Sequence, residues 1–328
     1  MNRVYPFLLT IAVLLAACEN EAGFTGLANQ PPVGGSGPGG IDATNAKQAA
    51  RVAYAATVQS MGTGQRVGNS GIASSPSNGF QKPAVQRSAS GLLARLIQKV
   101  PLGPDTYDCG VAGTTTISGD LADLLTLTAG DTINMDAVDC DDGLGEVING
   151  RMELTVVSFA GDLLLGGPYT LSMGVVLIDF EVATALDTVV SNGDSTVTID
   201  TTGDPLIVMS ISGTSLTNQS LTSTETLSGF ATTQTVDLSV APEPYTLTAL
   251  GSIATTQLTL SIDYTTPVTF QGAGEGYPFA GEMLITSTDG GAVRLIALDE
   301  TMVRIMIDAD GDGTFESSED TTWVDIAT

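Results

Sequence analysis

Arg151-Met152-Glu153-Leu154-Thr155-Val156 alternates polar and apolar side chains at every step. Successive side chains of an extended chain point to opposite faces, so Met152, Leu154 and Val156 are predicted to enter a core while Arg151, Glu153 and Thr155 meet water. The same period returns in Thr196-Val197-Thr198-Ile199-Asp200, in Thr235-Val236-Asp237-Leu238-Ser239-Val240 and in Gln257-Leu258-Thr259-Leu260-Ser261-Ile262-Asp263-Tyr264. The outward positions are largely Thr and Ser, which suit a half-buried pleated surface. Turn signals fall between these runs: Asn149-Gly150, Asn192-Gly193, Thr202-Gly203-Asp204-Pro205 and Asp289-Gly290-Gly291. Asn-Gly flanked by alternating runs predicts a hairpin. From about Thr114 onward the pattern gives roughly fifteen strands and no helix among them. The predicted fold class is all-β: a large antiparallel meander, as a curved sheet, open barrel or sandwich. A membrane-spanning barrel needs an outward apolar band with aromatic girdles. With 5% aromatics and one Trp, this chain is poorly supplied for one.

Upstream of the strands the composition changes. Met1-Asn2-Arg3 gives a positive start, and Phe7 to Ala17 is apolar apart from Thr10. A run that short suits a secretion signal rather than a membrane span. It ends in Leu15-Ala16-Ala17-Cys18, small residues before a cysteine, which resembles the lipobox of bacterial lipoprotein signals. The resemblance implies cleavage after residue 17 and a lipid covalently attached at Cys18; a plain signal peptide with a free Cys18 is the alternative. Residues 18–43 include Gln30-Pro31-Pro32-Val33-Gly34-Gly35-Ser36-Gly37-Pro38-Gly39-Gly40 and are predicted to be a flexible linker. Residues 44–104 are a helical and loop region. Within it, Ala-rich residues 44–60 favour a helix, residues 62–83 read as loop, and Leu92, Leu93, Leu96, Ile97 and Val100 repeat at helical spacing before Pro101. That second helix either docks on a membrane or partner or packs against the β domain. Residues 105–328 form the β domain.

Charge is distributed as unevenly as pattern. The 328 residues carry 11 Lys+Arg and 37 Asp+Glu, a formal charge of −26. Residues 101–328 hold 3 basic and 34 acidic residues. Such a field repels nucleic acid and anionic surfaces and attracts divalent cations; no nucleic-acid partner is expected. There is no His, which removes a Ser-His-Asp triad, a Cys-His pair and imidazole metal ligands. Every Lys lies at or before Lys99, so a Ser–Lys dyad within the β domain is excluded. Paired carboxylates could hydrolyse glycosides, but among 34 acids chance pairs are expected. The expectation is a protein that is not an enzyme. Cys109 and Cys140 are the two cysteines left after Cys18. In an exported chain they are expected to pair, free thiols being the alternative.

The sharpest chemical motif is Asp308-Ala309-Asp310-Gly311-Asp312-Gly313-Thr314-Phe315-Glu316-Ser317-Ser318-Glu319. Oxygens stand at positions 1, 3, 5, 9 and 12, Gly313 takes the turning position 6, and Thr314 can offer a backbone carbonyl at position 7. The run resembles an EF-hand loop, whose oxygens hold Ca²⁺. The candidate ligands are therefore Asp308, Asp310, Asp312, Thr314, Glu316 and Glu319, against an ion-free acidic turn. The flanks depart from the EF-hand: Met302-Val303-Arg304-Ile305-Met306-Ile307 and Thr321-Thr322-Trp323-Val324-Asp325-Ile326 both read as strands. Without an exiting helix Glu319 loses what would place it, which leaves Asp308, Asp310, Asp312 and Glu316 as the safer set. A second acidic group, Asp136, Asp139, Asp141 and Asp142 around Cys140, fits no ligand spacing and reads as a solvated turn.

Phe270, Tyr277-Pro278, Gly281-Glu282-Met283-Leu284-Ile285, Asp308-Ala309-Asp310-Gly311-Asp312-Gly313 and Thr321-Thr322-Trp323 together are similar to the tail of uncharacterised Gram-negative lipoproteins. Cys109 and Cys140 ahead of Asn149-Gly150-Arg151-Met152 resemble them more loosely. The resemblance implies an exported β-rich protein held to the membrane by its lipid, and carries no catalytic residue. Glu19 stands where an Asp favours inner-membrane retention, which on the same resemblance implies the outer membrane. The expected function is a non-catalytic, lipid-anchored cell-envelope protein, structural or binding another envelope protein, with one stabilising Ca²⁺ site. The alternative is a carrier whose sheet encloses lipid or another hydrophobic ligand, with Leu163-Leu164-Leu165 and Val175-Val176-Leu177-Ile178 lining the cavity.

Overall fold

The computed structural model describes residues 40–69, 103–122, 127–141, 143, 146–161, 167–184, 188–274, 276–288 and 290–327. The expected leader with Cys18, the linker up to residue 39, the helix at 92–100, Leu163–Leu165, Asp142 and Asp289 lie outside the described residues.

Alternation becomes strands running in sequence order across one antiparallel sheet of fourteen. They are β1 (Asp105–Asp108), β2 (Ala112–Asp120), β3 (Thr132–Asp141), β4 (Glu146–Gly161), β5 (Tyr169–Thr184), β6 (Thr188–Asp200), β7 (Leu206–Gln219), β8 (Thr224–Asp237), β9 (Pro244–Thr255), β10 (Ile262–Ala273), β11 (Ala280–Ser287), β12 (Ala292–Ala297), β13 (Met302–Asp308) and β14 (Ser317–Thr322). β1 and β14 each have one partner, so the meander is an open sheet. In β4, Met152, Leu154 and Val156 are buried, while Thr155 is exposed. On the outward face, hydroxyls pair across strands, as in Thr198 to Ser172 (3.1 Å) and Ser210 with Thr233 (3.0 Å).

The two Asn-Gly pairs are not hairpin turns. Asn149-Gly150 lies inside β4 and Asn192-Gly193 inside β6. Each sits beside a bulge in the preceding strand, at Asp139 of β3 and Asp179 of β5. Both aspartates have positive φ (47° and 45°), a conformation that Asp tolerates better than most residues. The Asn149 side chain accepts the Asp139 N–H (2.7 Å), and that of Asn192 accepts the Asp179 N–H (2.8 Å). Gly150 has φ 92°, and a Cβ there would run into the Asp179 carbonyl. The extra residue in each bulged strand shifts the burial phase, from Leu177 to Val182 in β5 and from Ala137 to Cys140 in β3. Asn-Gly here redirects a strand instead of ending it. Thr202–Pro205 and Gly290-Gly291 do connect strands as expected.

Two other alternating runs are strand only in part. β8 stops at Asp237, so Leu238-Ser239-Val240 is a turn. Gln257–Ser261 forms the β9–β10 connection, although Leu258 and Leu260 are still buried. Their apolar period reports burial, and no ladder accompanies it.

The Ala-rich segment is helix α1 (Ala46–Asn69), longer than expected, since residues 62–69 continue it. It begins in a cap: the Asp42 carboxylate accepts from the Thr44 and Asn45 N–H groups, and the Asp42 N–H donates to the Asn45 side chain (2.9 Å). Over residues 46–58 only Lys47, Arg51, Ala55 and Val58 are half-buried, and they form one stripe at helical spacing. All the others are buried, against β7 to β13 and the last helix. Alanine lets backbone and strands approach closely on several sides. The first four turns of α1, from Ala46 to Met61, therefore belong to the core of the β domain. Ile41 is fully buried too.

Trp323-Val324-Asp325-Ile326 is not a strand but the start of α2 (Trp323–Ala327). Trp323 is wholly buried, stacks on Tyr277 (5.9 Å), and lies against Tyr54 (5.1 Å) and Phe270 (6.0 Å). Its indole N–H donates to the Pro278 (3.0 Å) and Asp299 (3.1 Å) carbonyls. At the other end of the sheet Cys109 and Cys140 form a disulfide with Cα atoms 5.5 Å apart. It packs with Ala137, Ile148 and Phe180 in a small separate core.

Candidate metal centre

β13 delivers Asp308 to the rim of the core, and the chain then loops back to β14. Asp308 is buried, whereas Asp310, Asp312 and Glu316 are exposed. Both Asp308 oxygens organise the loop: Gly311 N–H donates to Oδ1 (2.7 Å) and Gly313 N–H to Oδ2 (2.9 Å). Asp310 accepts the Asp312 N–H (3.1 Å), and Asp312 accepts the Thr314 N–H (2.7 Å). Short acidic side chains make such local turns readily. Gly311 (φ 75°) and Gly313 (φ 89°) provide the left-handed steps that fold the loop on itself. The loop closes where Glu316 N–H donates to the Ile307 carbonyl (3.0 Å) and Ala309 N–H to Glu316 Oε2 (3.3 Å).

The result is convergence. Asp308, Asp310, Asp312 and Glu316 each offer an oxygen within 4.8 Å of the others. The donor set is all oxygen and all carboxylate, which suits a hard cation and fits Ca²⁺ better than a soft metal. Thr314 lies in the same loop, its N–H on Asp312. Glu319 stands on β14 opposite Ile305 and is not one of the four. An exiting helix would have turned Glu319 back over the loop; an exiting strand carries it away.

Among the described residues no basic side chain answers these charges. The three basic residues after residue 100 are committed elsewhere: Arg151 to Glu153 (2.9 Å), Arg294 to Glu282 (3.0 Å) and Arg304 to Asp320 (2.6 Å). Arg294 also lies over the Phe315 ring, 4.5 Å from its centroid, a cation–π contact that steadies the loop's exit. On the other side, Gly311 approaches the Gly290-Gly291 turn. That turn grips the start of the folded chain, where Ile41 N–H donates to the Gly290 carbonyl (2.9 Å). Neither the Arg294–Phe315 support nor the Ile41 contact was signalled by the sequence, because both depend on which strands become neighbours.

The described members of the second acidic group do not converge. Asp136 is near Arg151 (3.9 Å), Asp139 is the bulge residue, and Asp141 accepts the Gly143 N–H (2.8 Å). Among the described residues no helix is long and apolar enough to cross a membrane. No protein-family model, no curated protein and no solved structure matches the chain significantly.

Proposed function

We propose that this is a non-catalytic, lipid-anchored protein of the cell envelope whose β domain, structural or partner-binding, carries one stabilising Ca²⁺ site. The observation that carries the cation reading is the convergence of four carboxylates with no basic partner among the described residues. Their repulsion at such range costs stability until a cation offsets it. Asp308, Asp310, Asp312 and Glu316 would hold the ion, with Thr314 adding its carbonyl; the ion would supply charge neutralisation and loop closure, not catalysis. A single extracellular site of this kind has affinity on the order of 10⁻⁴–10⁻³ M. The anchor reading rests on the lipobox-like Leu15-Ala16-Ala17-Cys18 and the Gly/Pro-rich run after it. An outer-membrane location follows the resemblance alone. The carrier reading is weaker, because α1 and its buried side chains occupy the sheet face that a ligand would need.

The test is thermal unfolding of the full chain in mild detergent, with millimolar Ca²⁺ and with chelator, beside Asp310→Ala/Asp312→Ala. Ligand that binds only the folded state raises its stability by mass action. A Ca²⁺-dependent rise in Tm that the double variant lacks is expected. Superimposable melts would leave the loop an acidic turn. Metabolic labelling with palmitate, lost in Cys18→Ser, tests the anchor separately.

A further inference from the structure

One buried carboxyl group has no part in the acidic loop at 308–316. Glu225 of β8 lies in a row of four buried polar side chains, each the direct cross-strand neighbour of the next: Ser191 of β6, Asn218 of β7, Glu225, and Thr255 of β9. Ser191 Oγ donates to Asn218 Oδ1 (2.7 Å). The Asn218 Nδ2 is fully buried and has no hydrogen-bond partner. Among the described residues none donates a hydrogen bond to the Glu225 carboxyl group. One step further in, the same strands place Leu216, Leu227 and Ile253, all 2% exposed or less. Apolar core thus borders a carboxyl group and an unsatisfied amide.

Among the described residues no charge assists Glu225. Its neighbours across β7 and β9 are neutral, and the connections 220–223 and 256–261 contain no charged residue. On α1, Lys47 and Arg51 are engaged with Asp325, and Tyr54 lies against Trp323. The other buried glutamate, Glu146, is on β4, with three strands between. Among the described residues, desolvation is what acts on the group.

We propose that Glu225 and its polar row form a proton-operated latch on the β6–β9 end of the sheet: protonated, the row seals the core, and ionised, it draws in water and loosens the β7–β8 hairpin. Burial pushes the Glu225 carboxyl up to about 7 from 4.5. The unfolded chain releases this proton earlier than the folded one. The stabilisation is therefore complete below the ordinary glutamate range and is lost as pH rises through about 7. The chain has no His, so apart from its amino terminus no group of ordinary pKa titrates between about pH 5.5 and 8.

The experiment measures denaturant midpoints and amide hydrogen exchange of the full chain in detergent between about pH 5.5 and 8, for the native sequence and Glu225→Gln. Expected for the native sequence is a fall in the folding equilibrium constant of roughly thirtyfold. Exchange in residues 216–227 should accelerate beyond its intrinsic pH dependence, and Glu225→Gln should be flat. A flat native profile, or an equal slope in Glu225→Gln, overturns the latch. Should Glu225→Gln not fold, carboxyl-carbon NMR of the native chain decides: a midpoint near 7 for Glu225 supports the latch, and titration with the other glutamates overturns it.

Discussion

Trp323 is the one tryptophan of the chain, and it joins four separate pieces of it. Its ring meets Tyr54 of α1, Phe270 of β10 and Tyr277, and its indole N–H reaches the Pro278 and Asp299 carbonyls. A buried indole with its polar atom satisfied contributes area and direction together. Trp323→Ala is expected to cost about 3–5 kcal/mol, by cavity formation and loss of these contacts. Trp323→Phe should keep part of the packing but leave two carbonyls without their donor. Denaturant unfolding of the two variants should rank native, Phe, then Ala; equal midpoints for all three would mean that the aromatic cluster is marginal. The acidic loop at residues 308–316 is also a residue-scale matter. Asp308, Asp310, Asp312 and Glu316 were legible because the spacing of short side chains about Gly311 and Gly313 forces convergence. Glu319 was not, because its position depends on whether a strand or a helix follows.

At the scale of the element, Asn-Gly shows what a local signal can and cannot carry. The pair marks a left-handed step, and Gly150 takes one. Whether the chain then reverses or continues is set by the neighbouring strand. Here Asp139 and Asp179 bulge into the space beside Gly113 and Gly150 of the preceding strands, and Asn149 and Asn192 of the following strands bind the bulged N–H groups. The alternation of Met152-Glu153-Leu154 was legible because burial on one face needs no knowledge of the partner strand. Gln257–Ser261 shows the limit: Leu258 and Leu260 are buried as their period requires, without a hydrogen-bonded ladder. Gly150→Ala sets a Cβ against the Asp179 carbonyl in a conformation that only glycine adopts at no cost. A loss of more than about 1 kcal/mol is expected. Amide exchange should rise across β4 and β5 around the bulge, while a rise confined to the variant residue would show that the bulge does not set strand register.

At the scale of the molecule, the open sheet needs something to cover the inner face of its second half, and α1 does so. The helix was legible; its location was not. Lys47, Gln48 and Arg51 give it the look of a solvated helix. In the fold, Lys47 and Arg51 lie on the half-buried stripe and engage Asp325, while Gln48 pairs with Gln257 (2.8 Å) inside. Ser60 likewise meets Thr232 (2.8 Å), both buried. Removing the helix would leave Gln257 and Thr232 without these partners and would expose the inward side chains of β7 to β13. Burial of that apolar face is what makes the sheet fold, and an open sheet so stripped is an aggregation hazard. Residues 101–328 alone are thus expected to bind a hydrophobic dye, to lose cooperative melting and to associate. A synthetic peptide of residues 40–69 should restore cooperative melting, because its Asp42 cap and Ile41 anchor travel with it. Cooperative melting of 101–328 at the native midpoint without peptide would show that the sheet is self-sufficient and that α1 only rests on it.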